Sequence, residues 1–188
     1  MKVYMVRHGE SVNNLEKKWT GWMDVPLTDK GREEAKQVGK ILSEVSFDKI
    51  YSSDLSRAVE TAKLAIPGCE PETTPLLREV NVGTLEGKTL DLSDDDAKRL
   101  SLKRDYSYFG GESTEQLSAR ISEFMRILEN SNDETVAVFA HAGVLRTVLR
   151  LVLETAVPAQ RLRCFNCCVM VFDCTDGFWS LYCLINQN

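Results

Sequence analysis

Only two histidines occur in the chain, His8 and His141, and each sits in the same kind of place. Each closes a short apolar run, KVYMV over residues 2–6 and TVAVFA over residues 135–140. Each is followed by small residues, Gly9 in the first case and Ala142-Gly143 in the second, which let a ligand approach the backbone. A short apolar run that stops in this way reads as a buried strand ending in a loop. In an open α/β sheet, ligands bind beyond the carboxyl ends of strands, so two strand-end imidazoles can face one pocket. A lone histidine is more often a satisfied structural residue; a matched pair at strand ends points to a site. Arg7 immediately precedes the first histidine, and Arg57 falls in the first turns of a helix expected after a second strand. A guanidinium fork suits phosphate oxygens, and helix N-termini favour anions. Two arginines and two histidines gathered at strand ends form a local positive site that focuses an anionic substrate.

The elements that must position these residues can be read from periodicity. Thr28 and Asp29 cap a helix whose apolar positions Ala35, Val38, Leu42 and Val45 step by helical intervals. Residues 48–52 read as a strand, and Ser53 or Asp54 then caps a helix through about Ala65, ended by Pro67-Gly68. Residues 75–110 show little periodicity, apart from a short helix expected over Asp94 to Arg104. Ser113-x-x-Gln116 is a capping box opening an amphipathic helix with Leu117, Ile121, Phe124 and Leu128 on one face. The helix after His141 carries Leu145, Val148, Leu149 and Val152, with a break near Pro158. Two strand-like runs, 165–173 and 178–184, are joined by the hairpin signal Thr175-Asp176-Gly177. Strands alternating with helices predict a three-layer α/β/α sandwich around a mostly parallel central sheet.

Composition narrows the classes of function. At 188 residues the chain reads as one domain, 1–188, large enough to bury a core without staples. Its net charge of -5 argues against a nucleic-acid or anionic-membrane partner. No apolar run approaches membrane-spanning length, and MKVYMVRHGE lacks the apolar stretch of a signal peptide, so a cytoplasmic location is expected. Of the six cysteines, Cys164 and Cys167 have C-x-x-C spacing, but no second pair lies at zinc-finger spacing. Reduced core thiols are the plainer reading, with a zinc or redox site as the alternative. The C-terminal hairpin offers an edge that could pair with a second copy, a route to a homodimer.

Taken in order, these residues resemble the histidine phosphatase superfamily, also called the phosphoglycerate mutase family, over nearly the whole chain. The segments are Arg7-His8-Gly9-Glu10-Ser11 with Asn14, Thr20-Gly21-Trp22, Ser52 through Ala62 around Arg57, Leu77-Arg78-Glu79 with Gly83-Thr84-Leu85-Glu86-Gly87, Gly110-Gly111-Glu112-Ser113, and Phe139 through Arg146. The resemblance implies a phosphoglycerate-mutase-like fold with a short substrate-cap insertion around residues 80–111. It also implies that His8 is a nucleophile forming a phosphohistidine, and that Arg7, Arg57, His141 and Asn14 hold the phosphoryl group. Glu79 would protonate the leaving alkoxide, and Ser11, Thr20 and Gly21 would border the substrate. No metal or cofactor is required, because arginines and histidines supply the positive charge.

The family contains hydrolases and mutases. The mutases carry a longer middle with paired arginines, and an arginine after the acid. Here Val80 follows Glu79, and no adjacent arginines occur between Glu79 and Glu112. Both departures favour a phosphatase acting on a small phosphorylated metabolite, similar to α-ribazole phosphatases or to broad-specificity members. A cofactor-dependent phosphoglycerate mutase is the alternative, and a non-catalytic binding or scaffold relative is the second. Lys98, Arg99, Lys103 and Arg104 could reach an acidic substrate, or form a solvated helix balanced by Asp94, Asp95 and Asp96.

Overall fold

Apolar residues on both faces of a strand require cover on both sides, and that requirement shapes this molecule. The computed structural model describes residues 1–89, 105–155 and 163–186. The expected helix at Asp94 to Arg104, the cations Lys98, Arg99, Lys103 and Arg104, and the break near Pro158 lie outside these described residues. In chain order the strands and helices are β1 (Lys2–Arg7), α1 (Val12–Leu15), α2 (Asp29–Leu42), β2 (Lys49–Ser53), α3 (Ser56–Ala65), β3 (Glu72–Thr74), α4 (Thr114–Glu129), β4 (Thr135–Ala140), α5 (Ala142–Val152), β5 (Val169–Thr175) and β6 (Phe178–Ile185).

The six strands of the described residues form one mixed sheet in the order β3-β2-β4-β1-β5-β6. The pairings from β3 to β1 are parallel and those of β5 with β1 and β6 are antiparallel, so only β5 runs against the rest. Val3, Met5, Val136 and Val138 turn one way, onto Leu117, Ile121 and Phe124 of α4 and Leu145 and Val148 of α5. Val6, Ala137 and Phe139 turn the other way, onto Ala35, Val38 and Leu42 of α2 and Ala62 and Ala65 of α3. This is the expected sandwich, with the four parallel strands ending on one edge.

Local signals set most of the element ends. Thr28 accepts a hydrogen bond from the Gly31 N–H, and the Ser113/Gln116 capping box forms as predicted. Asp176 and Gly177 both have positive φ, 51° and 76°, the type I′ pattern whose twist suits a two-residue hairpin. Three expectations shift. Val45 lies past the end of α2, which stops at Leu42. The helix after β2 is capped by neither Ser53 nor Asp54; it begins at Ser56, whose N–H and hydroxyl both donate to the Asp24 carboxylate from a distant loop. Asp54 instead pairs with Arg78. Residues 165–168 are a loop rather than strand, because Cys167 takes a positive φ of 58° and the ladder starts at Val169. β3, three polar residues at the sheet edge, and the one-turn α1 carry too little pattern to be foreseen.

Candidate active site

Parallel pairing of β1 with β4 brings the two histidines together. Arg7 is in register with Ala140, and the His8 N–H donates to the Ala140 carbonyl at 3.0 Å, so His8 and His141 leave adjacent strands side by side. Their ring centroids are 5.0 Å apart. His8 Nδ1 lies 2.7 Å from the Gly9 carbonyl, which can only accept. That contact fixes the proton on Nδ1 and leaves the Nε2 lone pair open. Burial holds the His8 pKa well below the usual imidazole value, helped by His141, Arg57 and Arg7; the Gly9 carbonyl opposes this. His8 is thus neutral at neutral pH, with burial rather than the arginines as the leading cause. His141 is fully buried, and neither of its ring nitrogens has a partner. Burial first, then Arg57, Arg7 and Arg120, hold its pKa well below the usual value. A buried polar side chain without partners costs free energy unless a ligand supplies them. The small residues around His8 have a second use: a Cβ on Gly9 would collide with the Gly31 carbonyl, so this turn packs directly on α2.

The guanidinium groups are held by the backbone. Arg57 is 1% exposed; its Nη1 donates to the Met23 carbonyl and its Nη2 to the Gly21 carbonyl. Burial lowers its pKa to about 10, so it remains a cation at neutral pH. Arg7 Nη1 donates to the Cys164 carbonyl at 2.5 Å. The Nε of each arginine is buried without a partner. Asn14 Oδ1 accepts from the Ser11 N–H and from Asn166 Nδ2, which leaves the Asn14 amide NH2 to donate to a ligand. α3 is tied to the His8 loop through Thr61, whose hydroxyl accepts from the Gly9 N–H and donates to the Arg57 carbonyl.

Glu79 follows a 3-10 turn at the end of β3, and its two carboxylate oxygens accept from the Val80 and Gly143 N–H groups. The segment that carries it is gripped by Arg120, a residue that sequence reasoning did not single out. Arg120 donates to the carbonyls of Leu76, Arg78 and Glu79 and to both oxygens of Glu112, and Glu112 in turn accepts from the Asn81 N–H. The one hint in the sequence was a cation beside the apolar stripe of α4, between Leu117 and Ile121.

Arg7, His8, Asn14, Thr20, Gly21, Arg57 and Glu79 all line one cavity of about 230 Å³. His141 lies against His8, and Ser11 sits buried at the start of α1, bridged to Leu27, away from the cavity wall. Among the described residues the rest of the wall, unassigned from sequence, is Lys18, Trp19, Val80, Val82, Tyr106 and Arg146. A larger depression of about 470 Å³ lies between α4, α5 and the hairpin, but it has no histidine and none of the expected residues, so size does not mark the site. Among the described residues no cluster of three or more metal-ligating side chains forms, and no helix is long and apolar enough to cross a membrane. The arrangement offers two neutral imidazoles, of which His8 presents an open Nε2 beside the cavity, with arginine cations around them and a carboxylate. That set can bind a phosphoryl group and attack its phosphorus.

Known proteins share this frame. The profile of the histidine phosphatase superfamily (branch 1) matches residues 3–187. The probable phosphoglycerate mutase GpmB of Salmonella paratyphi A is 32% identical, over 95% of this chain and 87% of its own. The crystal structure of a putative alpha-ribazole-5'-P phosphatase from Escherichia coli superposes with a TM-score of 0.81 at 28% identity, covering 99% of this chain and 96% of its own. That of a phosphoglycerate mutase from Thermus thermophilus gives 0.76 at 30% identity, with both chains fully covered.

Proposed function

The chain belongs to the histidine phosphatase superfamily, and we propose that it hydrolyses a small phosphate monoester through a phosphohistidine on His8. The observation that carries this reading is the fixed tautomer of His8 beside its cations: Nδ1 is occupied by the Gly9 carbonyl, and Nε2 is left for attack. In the first step Nε2 bonds to phosphorus as the ester P–O bond breaks, and Glu79 protonates the departing oxygen. Arg7, Arg57, Asn14 and His141 hold the transferring phosphoryl oxygens. A water then attacks phosphorus, Glu79 takes its proton, and the P–N bond breaks to release phosphate and free His8. The similarity to alpha-ribazole phosphatases supports hydrolysis, as does Val80 in place of an arginine after the acid.

Relatives named as phosphoglycerate mutases keep a second reading in view. One experiment separates the two. Phosphate release from an aryl phosphate and from a panel of metabolite monoesters, without added metal, is run beside a phosphoglycerate isomerisation assay. Phosphate release with little isomerisation is expected. Isomerisation that outpaces hydrolysis supports the mutase, and inertness in both assays supports a binding role.

A further inference from the structure

Cys164 and Cys168 are free thiols whose sulfurs lie 2.8 Å apart, at 4% and 0% exposure. The pair has Cys-x3-Cys spacing, not the C-x-x-C spacing read from the sequence, because Cys167 turns into the opposite core layer with Val6 and Val169. The two thiols are unlike. One S–H donates to the other sulfur, and this contact holds the Cys164 thiol below its usual value, against burial and with help from Arg7 and Arg146. The same bond, together with burial, pushes the Cys168 thiol up. Two thiols in contact close to a disulfide once one of them is oxidised to a sulfenic acid, because the second sulfur already lies within reach.

The loop between these sulfurs cradles the two residues on which the site depends. The Cys164 carbonyl accepts from Arg7 Nη1, and the Cys168 carbonyl accepts from the Arg7 N–H. The Cys167 N–H and Asn166 Nδ2 both donate to the His8 carbonyl, and Asn166 also donates to Asn14. Any contraction of this loop reaches Arg7, His8 and Asn14 together.

We propose that Cys164 and Cys168 are a redox-active pair, oxidised to a disulfide by hydrogen peroxide, and that the cross-link acts on the cradle of Arg7 and His8. The Cys164 thiolate attacks one peroxide oxygen; the O–O bond breaks, leaving a sulfenic acid and, after protonation, water. The Cys168 sulfur then attacks the Cys164 sulfur. The S–S bond forms, the S–O bond breaks, and the hydroxide leaves with the Cys168 proton as a second water. Two thiols and one peroxide thus give one disulfide and two waters. The sulfurs close from 2.8 Å to a bond of about 2.05 Å. A misplacement of about 1 Å can cost on the order of 10²-fold in rate.

The test is to treat the full chain with equimolar hydrogen peroxide, alkylate the remaining thiols, and map the peptides. A peptide holding Cys164 and Cys168 that is two hydrogens lighter, with the other four cysteines alkylated and dithiothreitol reversing the change, is expected. Aryl-phosphate turnover should fall by about tenfold or more in parallel and return on reduction. In Cys168→Ala, oxidation should halt at a Cys164 sulfenic acid that dimedone traps. Alkylation of both Cys164 and Cys168 after peroxide, or prior oxidation of another cysteine, overturns the pair. A cross-link that leaves turnover unchanged overturns its action on the site. The peptide map needs no substrate and no variant, so its failure is distinct from a failure of the phosphatase reading.

Discussion

Glu79 Oε2 accepts the Gly143 N–H at 3.1 Å, which joins the segment after β3 to the first turn of the helix that His141 opens. The carboxylate is thus held by the same helix N-terminus that borders the histidine pair, and its distance from the phosphoryl site is set by two elements far apart in sequence. The consequences fall first on Glu79 itself.

Replacing Glu79 by glutamine keeps the shape of the side chain but removes its proton traffic. Alkyl phosphates, whose leaving groups need protonation, should lose about 10²- to 10⁴-fold in kcat. Aryl phosphates, which leave readily as phenoxides, should lose far less. A series of esters of rising leaving-group pKa measures the slope, and equal losses across the series would count against a role in protonation.

His8→Ala removes the open Nε2. Turnover should vanish, and with it an acid-labile phosphoryl-enzyme seen in rapid-quench labelling of the native chain. Labelling that persists in the variant excludes His8 as the nucleophile.

The two imidazoles also set a pH dependence of stability. Both are buried and neutral in the folded chain, with pKa values well below the ordinary one. Unfolding restores values near about 6.5, so below that pH the unfolded chain binds more protons than the folded one. Their contribution is complete above about pH 6.5 and is lost as pH falls toward the folded values, at about 1.4 kcal/mol per pH unit for each imidazole. Urea titrations between about pH 7 and pH 5 should show the decline, and His141→Asn should roughly halve its slope. The same depression keeps His8 nucleophilic in mild acid, so the acid limb of kcat/KM attributable to this residue should lie well below about pH 6.5.

Arg120 holds three carbonyls of the acid segment while paired with Glu112, each side chain being 13% exposed. Arg120→Ala leaves Glu112 and those carbonyls unmatched and should cost about 3 kcal/mol in urea unfolding. Arg120→Lys keeps the charge but not the fork, and should recover only part of it. If Arg120 positions Glu79, both variants should also steepen the leaving-group dependence, which a loss of stability alone leaves unchanged.

Much of the frame is local and was therefore legible. KVYMV and TVAVFA are apolar on both faces because helices cover both faces, and their ends mark His8 and His141 in any register. The Thr28 cap, the Ser113/Gln116 capping box and the Asp176-Gly177 turn are likewise written within a few residues. The start of α3 was not legible from its own sequence, because Asp24 supplies the cap across 32 residues. Nor was Arg120, whose partners lie up to 44 residues away.

The sequence alone determined the inventory: two histidines, the arginines, a carboxylate after Leu77-Arg78, and the alternation of strands and helices that sends them to one edge. Only the tertiary structure decided their state. The proton on His8 Nδ1, the orphaned nitrogens of His141, the grip of Arg120 and the contact of Cys164 with Cys168 depend on which groups burial brings within hydrogen-bond reach. Such contacts act over a few ångströms in space, whatever the separation along the chain.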